Sequence, residues 1–180
     1  MQINDTGLVK ALQNRVLGEW DSISIYSQLA DWCKLNGYEG GYNWFNFYVQ
    51  EETMHRNKVS GYLCDNGIMP TVPMINSSGL VINNLEDCIN IWVTAMEDAT
   101  MQILEVVRVA RKVDSECTVN FMQFFVQDQA EGEALAINTL DYCTNIGLFS
   151  DAPDWAKGMM RAELDEKLMD IYESKSNVDV

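Results

Sequence analysis

Proline, histidine and basic residues are scarce in this chain. Its 180 residues include 3 prolines and 1 histidine, and 12 lysines and arginines stand against 27 aspartates and glutamates, for a formal charge of -15. So little proline beside a 47% hydrophobic content excludes a disordered chain and favours a folded, helical one of a single domain over residues 1–180. The shortage of positive charge excludes nucleic acid and anionic membranes as partners and favours cations. Acidity alone names no metal, because many cytosolic proteins are acidic. No apolar run is long enough to cross a membrane. The opening stretch MQINDTGLVKALQNR lacks the basic-then-apolar order of a secretion signal and reads as helix-capping sequence, so a cytoplasmic protein is expected. The 5 cysteines, Cys33, Cys64, Cys88, Cys117 and Cys143, form no CxxC pair and are odd in number. Reduced thiols fit that pattern, and a zinc site does not. Low-complexity tracts and short repeats are also missing.

What is present is helical rhythm. Apolar residues at steps of three and four predict long helices at about 6–35, 42–66, 85–111 and 115–145, and a shorter one at about 154–172. The inner stripe of the first is Leu8, Leu12, Val16, Glu19, Ile23, Tyr26, Ala30 and Cys33, and that of the second is Phe45, Tyr48, Glu52, His55, Val59 and Tyr62. The third reads Ile89, Val93, Glu97, Met101, Leu104 and Val107, and the fourth Met122, Phe125, Gln129, Gly132, Ala136, Leu140 and Cys143. Between the second and third lies a stretch at about 67–84 with two prolines and no helical period. A connection of that length fits a crossover running the length of a bundle. Short, long and short connections predict an all-α, up-down-down-up four-helix bundle with a short fifth helix appended.

Each of the first three stripes contains a glutamate, Glu19, Glu52 and Glu97, and the fourth contains Gln129. A buried carboxylate is unfavourable unless it is paired, protonated or bound to metal. Three at one level of a bundle would repel one another, and lysine and arginine are absent from the stripes at that level. A metal ion is therefore the expected partner. The only histidine, His55, lies one turn from Glu52 on the same face. Glu-x-x-His on a helix is the bundle motif of di-iron and di-manganese carboxylate sites. Mixed oxygen and nitrogen ligands suit iron or manganese better than calcium or magnesium. A lone Glu-x-x-His is more often a surface pair, and it is the coincidence on four helices that carries the reading. Tyr26, two turns from Glu19, is placed either to serve the metal ligands or simply to pack in the bundle. Glu51, Asp128 and Glu131 form either an auxiliary iron site or a solvated acidic face.

The segments EWDSISIYSQLADWCKLNGYEG, FNFYVQEETMHRNKVSGYLCDNGIMPTVP, AMEDAT and NFMQFFVQDQAEGE resemble the ferritin family, closest to its haem-free bacterial type. The resemblance runs over nearly the whole chain. It implies a five-helix subunit, a homo-oligomeric hollow cage of about 24 subunits, oxidation of Fe(II) by O2 or H2O2, and storage of ferric mineral. By motif, Glu19, Glu52 and His55 resemble the first iron site, and Glu52, Glu97 and Gln129 the second. Tyr26 matches the tyrosine beside that centre, and Glu51, Asp128 and Glu131 the third, bacterial-type site. Gly132 stands where many bacterial members have glutamate. No haem is expected, since the haem methionine position is Thr53 and a second Glu-x-x-His is missing. Trp20, Trp44 and Trp155 are candidates for apolar surface covered in the cage.

An iron-storage ferroxidase is the leading reading. A ferritin-like cage without catalysis is the alternative from another class. A rubrerythrin-like peroxidase would need a rubredoxin-type cysteine module or a second histidine motif, and the sequence has neither.

Overall fold

The computed structural model describes residues 3–74 and 79–176. Its helices are α1 (Thr6–Leu35), α2 (Glu39–Asp65), α3 (Leu85–Lys112), α4 (Glu116–Asn145) and α5 (Asp154–Ser176). Local chemistry sets several of the ends. The Asp5 carboxylate accepts from the Leu8 amide at 2.7 Å and Asn84 Oδ1 from the Asp87 amide at 2.9 Å, so α1 and α3 begin on side-chain caps. Two Asn-Gly pairs end α1 and α2, where Gly37 and Gly67 turn the chain at φ 80 and 76. That left-handed conformation is open to glycine at little steric cost.

Packing gives the topology. Leu63, near the end of α2, lies in one apolar cluster with Leu8 and Leu12 from the start of α1. The crossover then travels along α1. The Gln13 side chain bonds the Met69 carbonyl and the Thr71 amide, both at 2.7 Å, and Gln28 Oε1 accepts from the Leu80 amide at 2.8 Å. Leu85 and Ile89, which open α3, join Tyr26 and Leu29 in a second cluster. Val106 and Val107, near its other end, return to Leu8 and Leu12. Helices α2 and α3 therefore run opposite to α1, and α4 runs with α1, as the connection lengths predict. Every fully buried leucine in these clusters contributes roughly 1.5–3 kcal/mol.

The two apolar clusters are separated by a polar layer. Val16, Val59, Ile103 and Phe125 close one cluster, and Tyr26, Tyr48 and Met96 close the other. Between them Glu19, Ser22, Glu52 and His55 are buried.

Helix α5 has 23 residues, a turn more than the sequence pattern suggests. It folds back along α2 in the same direction. Asp165 accepts from the Gly41 amide at 2.7 Å, the Tyr172 ring meets Phe47 at 6.4 Å, and Lys175 pairs with Glu131 of α4 at 3.6 Å. Arg161 grips Glu86 with two hydrogen bonds of 2.8 Å, and Leu164 and Leu168 are fully buried. Gly40 permits this approach, since a Cβ there would lie 1.9 Å from the Asp165 carbonyl oxygen.

Three sequence expectations need correction. The buried face of α3 includes Ile89, Trp92, Ala95, Met96, Ala99 and Ile103, so Glu97, Met101 and Leu104 in the middle of the predicted stripe lie off it, while the stripe's ends, Ile89 and Val107, are buried. Met101 and Leu104 are 70% and 52% exposed, and these two surface apolar residues simulated a stripe on the wrong face. Trp44 is buried in the aromatic core, leaving Trp155 as the well-exposed tryptophan of the three proposed. Finally, arginine is present at the level of the buried glutamates, because Arg15 is 1% exposed.

Candidate metal centre

Glu19 comes from the middle of α1, and Glu52 and His55 lie one turn apart on α2. All three are buried, and each offers one ligand atom within 4.8 Å of the others. His55 Nδ1 is 3.1 Å from Glu52 Oε2, and Nε2 is 3.2 Å from Asp128 Oδ2 across the bundle. The second contact is an ion pair at an angle poor for a hydrogen bond, so Nε2 remains a buried atom without one. Glu19 Oε2 and the Tyr26 hydroxyl are likewise buried without hydrogen-bond partners. Two buried carboxylates and an imidazole with ligand atoms this close together fit a cation.

Arg15, one turn before Glu19, forms a two-point pair with it. Its Nε donates to Oε1 at 2.7 Å and its Nη2 lies 2.5 Å from Oε2. Its Nη1 donates to Gln102 Oε1 of α3 at 3.0 Å. Gly18 makes room for that glutamine, since a Cβ there would lie 1.8 Å from Gln102 Oε1. Arginine and glutamate four apart on one helix face are neighbours, so the spacing to Glu19 was the signal available in the sequence.

The charges are strongly coupled. Burial pushes the Glu19 carboxyl up to about 8, with Arg15 opposing and Glu52 adding to the rise. Burial raises Glu52 too, but hydrogen bonds from His55 and Glu19 outweigh it and hold Glu52 below the ordinary carboxylate value. For His55, burial disfavours the imidazolium, yet Asp128 and Glu52 lift its pKa to about 10. Near neutral pH the metal-free centre therefore holds a proton on Glu19 and a charged His55.

Beside this cluster is a cavity of about 30 Å³, lined in part by Glu51, Glu52, His55, Asp128, Gln129 and Glu131. That is room for about one water-sized species. Burial first, then Asp128, raises Glu51 to about 7. The Tyr26 and Tyr48 rings meet tilted by 35° at 5.0 Å between centroids, and burial followed by nearby carboxylates holds both phenols well above their usual value.

The ferritin family, described as a ferritin-like domain, matches residues 9–146. The chain belongs to the ferritin family. A bacterial non-heme ferritin of Staphylococcus aureus (strain MRSA252) is 24% identical over 145 residues, covering 81% of this chain and 87% of that protein. A probable bacterial non-heme ferritin-like protein of Haemophilus influenzae is 26% identical over 140 residues, covering 78% and 85%. Among solved structures, the open pore ferritin of Archaeoglobus fulgidus superposes with a TM-score of 0.79 at 23% identity, over 92% of this chain and 96% of that one. A humanized archaeal ferritin gives 0.81 at 23% identity, over 93% and 96%.

Within this ferritin, the residues expected from sequence divide into three groups. Glu19, Glu52 and His55 come together, with Tyr26 behind them. Glu51, Asp128 and Glu131 line the adjoining cavity with Gln129, although Asp128 is taken up by His55 and Glu131 by Lys175. Glu97 does not join either group. It is exposed on α3, and its buried neighbour Met96 lines the cavity in its place. Gln129 donates to the Met96 carbonyl at 2.8 Å. Arg15, Met96, Tyr48 and Lys175 were absent from the sequence-derived site. Arg15 could have been found from its spacing, but Lys175 depends on how α5 folds back.

Proposed function

We propose that this protein is an iron-storage ferritin of the haem-free bacterial type. Fe(II) enters as substrate, binds through Glu19, Glu52 and His55, and is oxidised to Fe(III), each two ions passing two electrons and two protons being taken up to turn O2 into H2O2 or H2O2 into water, before the ferric product moves on to a mineral store. The observation that carries this reading is the convergence of three buried ligand atoms within 4.8 Å inside a ferritin fold. Two carboxylates supply hard oxygens and one imidazole a borderline nitrogen, a donor set suited to iron. Carboxylates favour the ferric product over the ferrous substrate through its higher charge, and so assist the loss of the electron. The store is proposed as the hollow of a closed homo-oligomer of about 24 copies in the cytoplasm. Among the described residues no helix is long and apolar enough to cross a membrane.

The test is an anaerobic Fe(II) titration followed by air, with ferric absorbance and particle size recorded together. Wild type should oxidise iron well above the protein-free rate and retain it in large particles. A second reading, storage without catalysis, is favoured by one observation, the exposure of Glu97. Large iron-containing particles formed at the protein-free oxidation rate would select it. A monomer or dimer under native conditions would reject the cage.

A further inference from the structure

We infer, resting on the metal-binding reading above, that Arg15 is a positioning residue. It holds Glu19 so that an ion meets this carboxylate through one oxygen and never through both.

The geometry is that of a fork facing a carboxylate. Arg15 Nε donates to Glu19 Oε1 at 2.7 Å, and Nη2 approaches Oε2 to 2.5 Å. A guanidinium aligned with both oxygens fills the notch between them, which is where a chelating ion would have to sit. The outer side of each oxygen stays open. Oε2 receives no hydrogen bond despite the close approach, so it is the oxygen better able to donate to an ion. The ligand atoms of Glu52 and His55 lie within 4.8 Å of that of Glu19. An ion shared among the three is therefore bound by Glu19 at a single point.

The fork is held in place. Arg15 is 1% exposed, and a guanidinium that left Glu19 would be an unpaired charge in the core. From α3, Gln102 Oε1 accepts from its Nη1 at 3.0 Å. Gln102 in turn fills the space left by Gly18, where a Cβ would lie 1.8 Å from that same oxygen. Glycine inside a helix is unfavourable, and here its missing side chain lets α3 brace the guanidinium. Arginine suits the position because its donors form a planar fork, whereas lysine offers a compact point charge.

For a substrate ion this means loose holding. Attachment through one oxygen leaves a coordination position open, and the guanidinium charge beside Glu19 opposes a cation there. Both favour departure. Glu51, Asp128, Gln129 and Glu131 line the cavity beside Glu52, and Arg15 does not line it, so that space stays open to further ions.

The experiment adds Co(II), a probe that stays divalent in air, to the metal-free assembled protein. Diffraction at the cobalt edge shows which Glu19 oxygens the ion touches. Visible absorption per bound ion rises as its coordination number falls, and a chelator gives the release rate. In wild type the ion should sit on Glu19 Oε2 alone, with Oε1 still on Arg15. Arg15→Met removes both charge and fork. Glu19 should then bind through both oxygens, absorption per ion should fall, and release should slow at least about tenfold. Arg15→Lys keeps the charge without the fork and should show the same fall in absorption. Gln102→Ala, which only unbraces the guanidinium, should show part of it. A purely structural role would lower the melting temperature of these variants and leave absorption per bound ion unchanged, and that result would overturn the inference. Circular dichroism shows whether Arg15→Met folds, and Arg15→Lys decides if it does not. Wild-type cobalt bound by both Glu19 oxygens would overturn the role of Arg15 and leave the metal-binding reading intact. No ion among Glu19, Glu52 and His55 would overturn both.

Discussion

His55 Nε2 lies 3.2 Å from Asp128 Oδ2, so an ion pair ties α2 to α4 at the level of the candidate metal centre. The pair explains much of why the imidazole stays charged. As the chain has a single histidine, its ring gives one set of proton resonances. Those should titrate with a midpoint near about 10, and Asp128→Asn should shift the midpoint down by a unit or more, on the order of 1.4 kcal/mol per unit. The sign for stability follows. The folded value is above the unfolded one, so the contribution is fully present below about 6.5 and fades as pH rises through about 10. Thermal melts of the metal-free protein between pH 6 and 10 should show that loss, and Asp128→Asn should flatten it.

Metal binding should release protons. Ligands must be deprotonated to bind, and at pH 7 both Glu19, at about 8, and His55, at about 10, hold theirs. Titration of weakly buffered protein with Zn(II) should release about two protons per ion at pH 7. The apparent affinity should climb with pH and level off near about 10. Release that does not change between pH 6 and 10 would contradict the assigned charge states.

Glu97 and Glu52 should respond very differently. Glu97→Gln changes an exposed side chain and should leave the initial rate of Fe(II) oxidation within about twofold. Glu52→Ala removes a ligand from the buried cluster and should lower that rate by at least about tenfold, with helix content retained. Stopped-flow oxidation measures both, and equal rates for wild type and Glu52→Ala would refute the centre.

Two glycines should show opposite effects on stability. At Gly132 an added Cβ meets its neighbours at 3.5–3.8 Å, ordinary contact distances. Gly132→Ala should therefore stabilise the protein by about 0.5–1 kcal/mol through helix propensity. At Gly40 the same methyl would lie 1.9 Å from the Asp165 backbone. Gly40→Ala should force α5 away from α2, lowering the melting temperature and exposing α5 to proteolysis.

Helices α1 and α2 were legible in sequence because their stripes are clean. Their predicted inner residues, Glu19, Glu52 and His55 included, are buried or half-buried as expected. In α3 the apolar residues occupy more than one face. Met101 and Leu104 continue the spacing of Val93 and Glu97 on a side that the bundle leaves open, while small Ala95 and Ala99 carry the true interior. Periodicity weighs a surface methionine like a buried one, so the phase was lost and Glu97 with it. Arg15 was missed for a related reason. A long charged side chain beside an apolar stripe is normally solvated, and only its two-point fit to Glu19 permits burial.

The ionic layer also acts as a ratchet between the two apolar halves of the bundle. Sliding one helix past its neighbours by a turn, about 5.4 Å, would drive Glu19, Glu52 or His55 in among leucine, valine and tryptophan. Each would lose its partners at once, so intermediate positions are closed and the helices have one permitted alignment. Because Arg15 and Asp128 belong to the chain itself, this alignment does not depend on cargo. The scaffold therefore keeps its place with or without a bound ion.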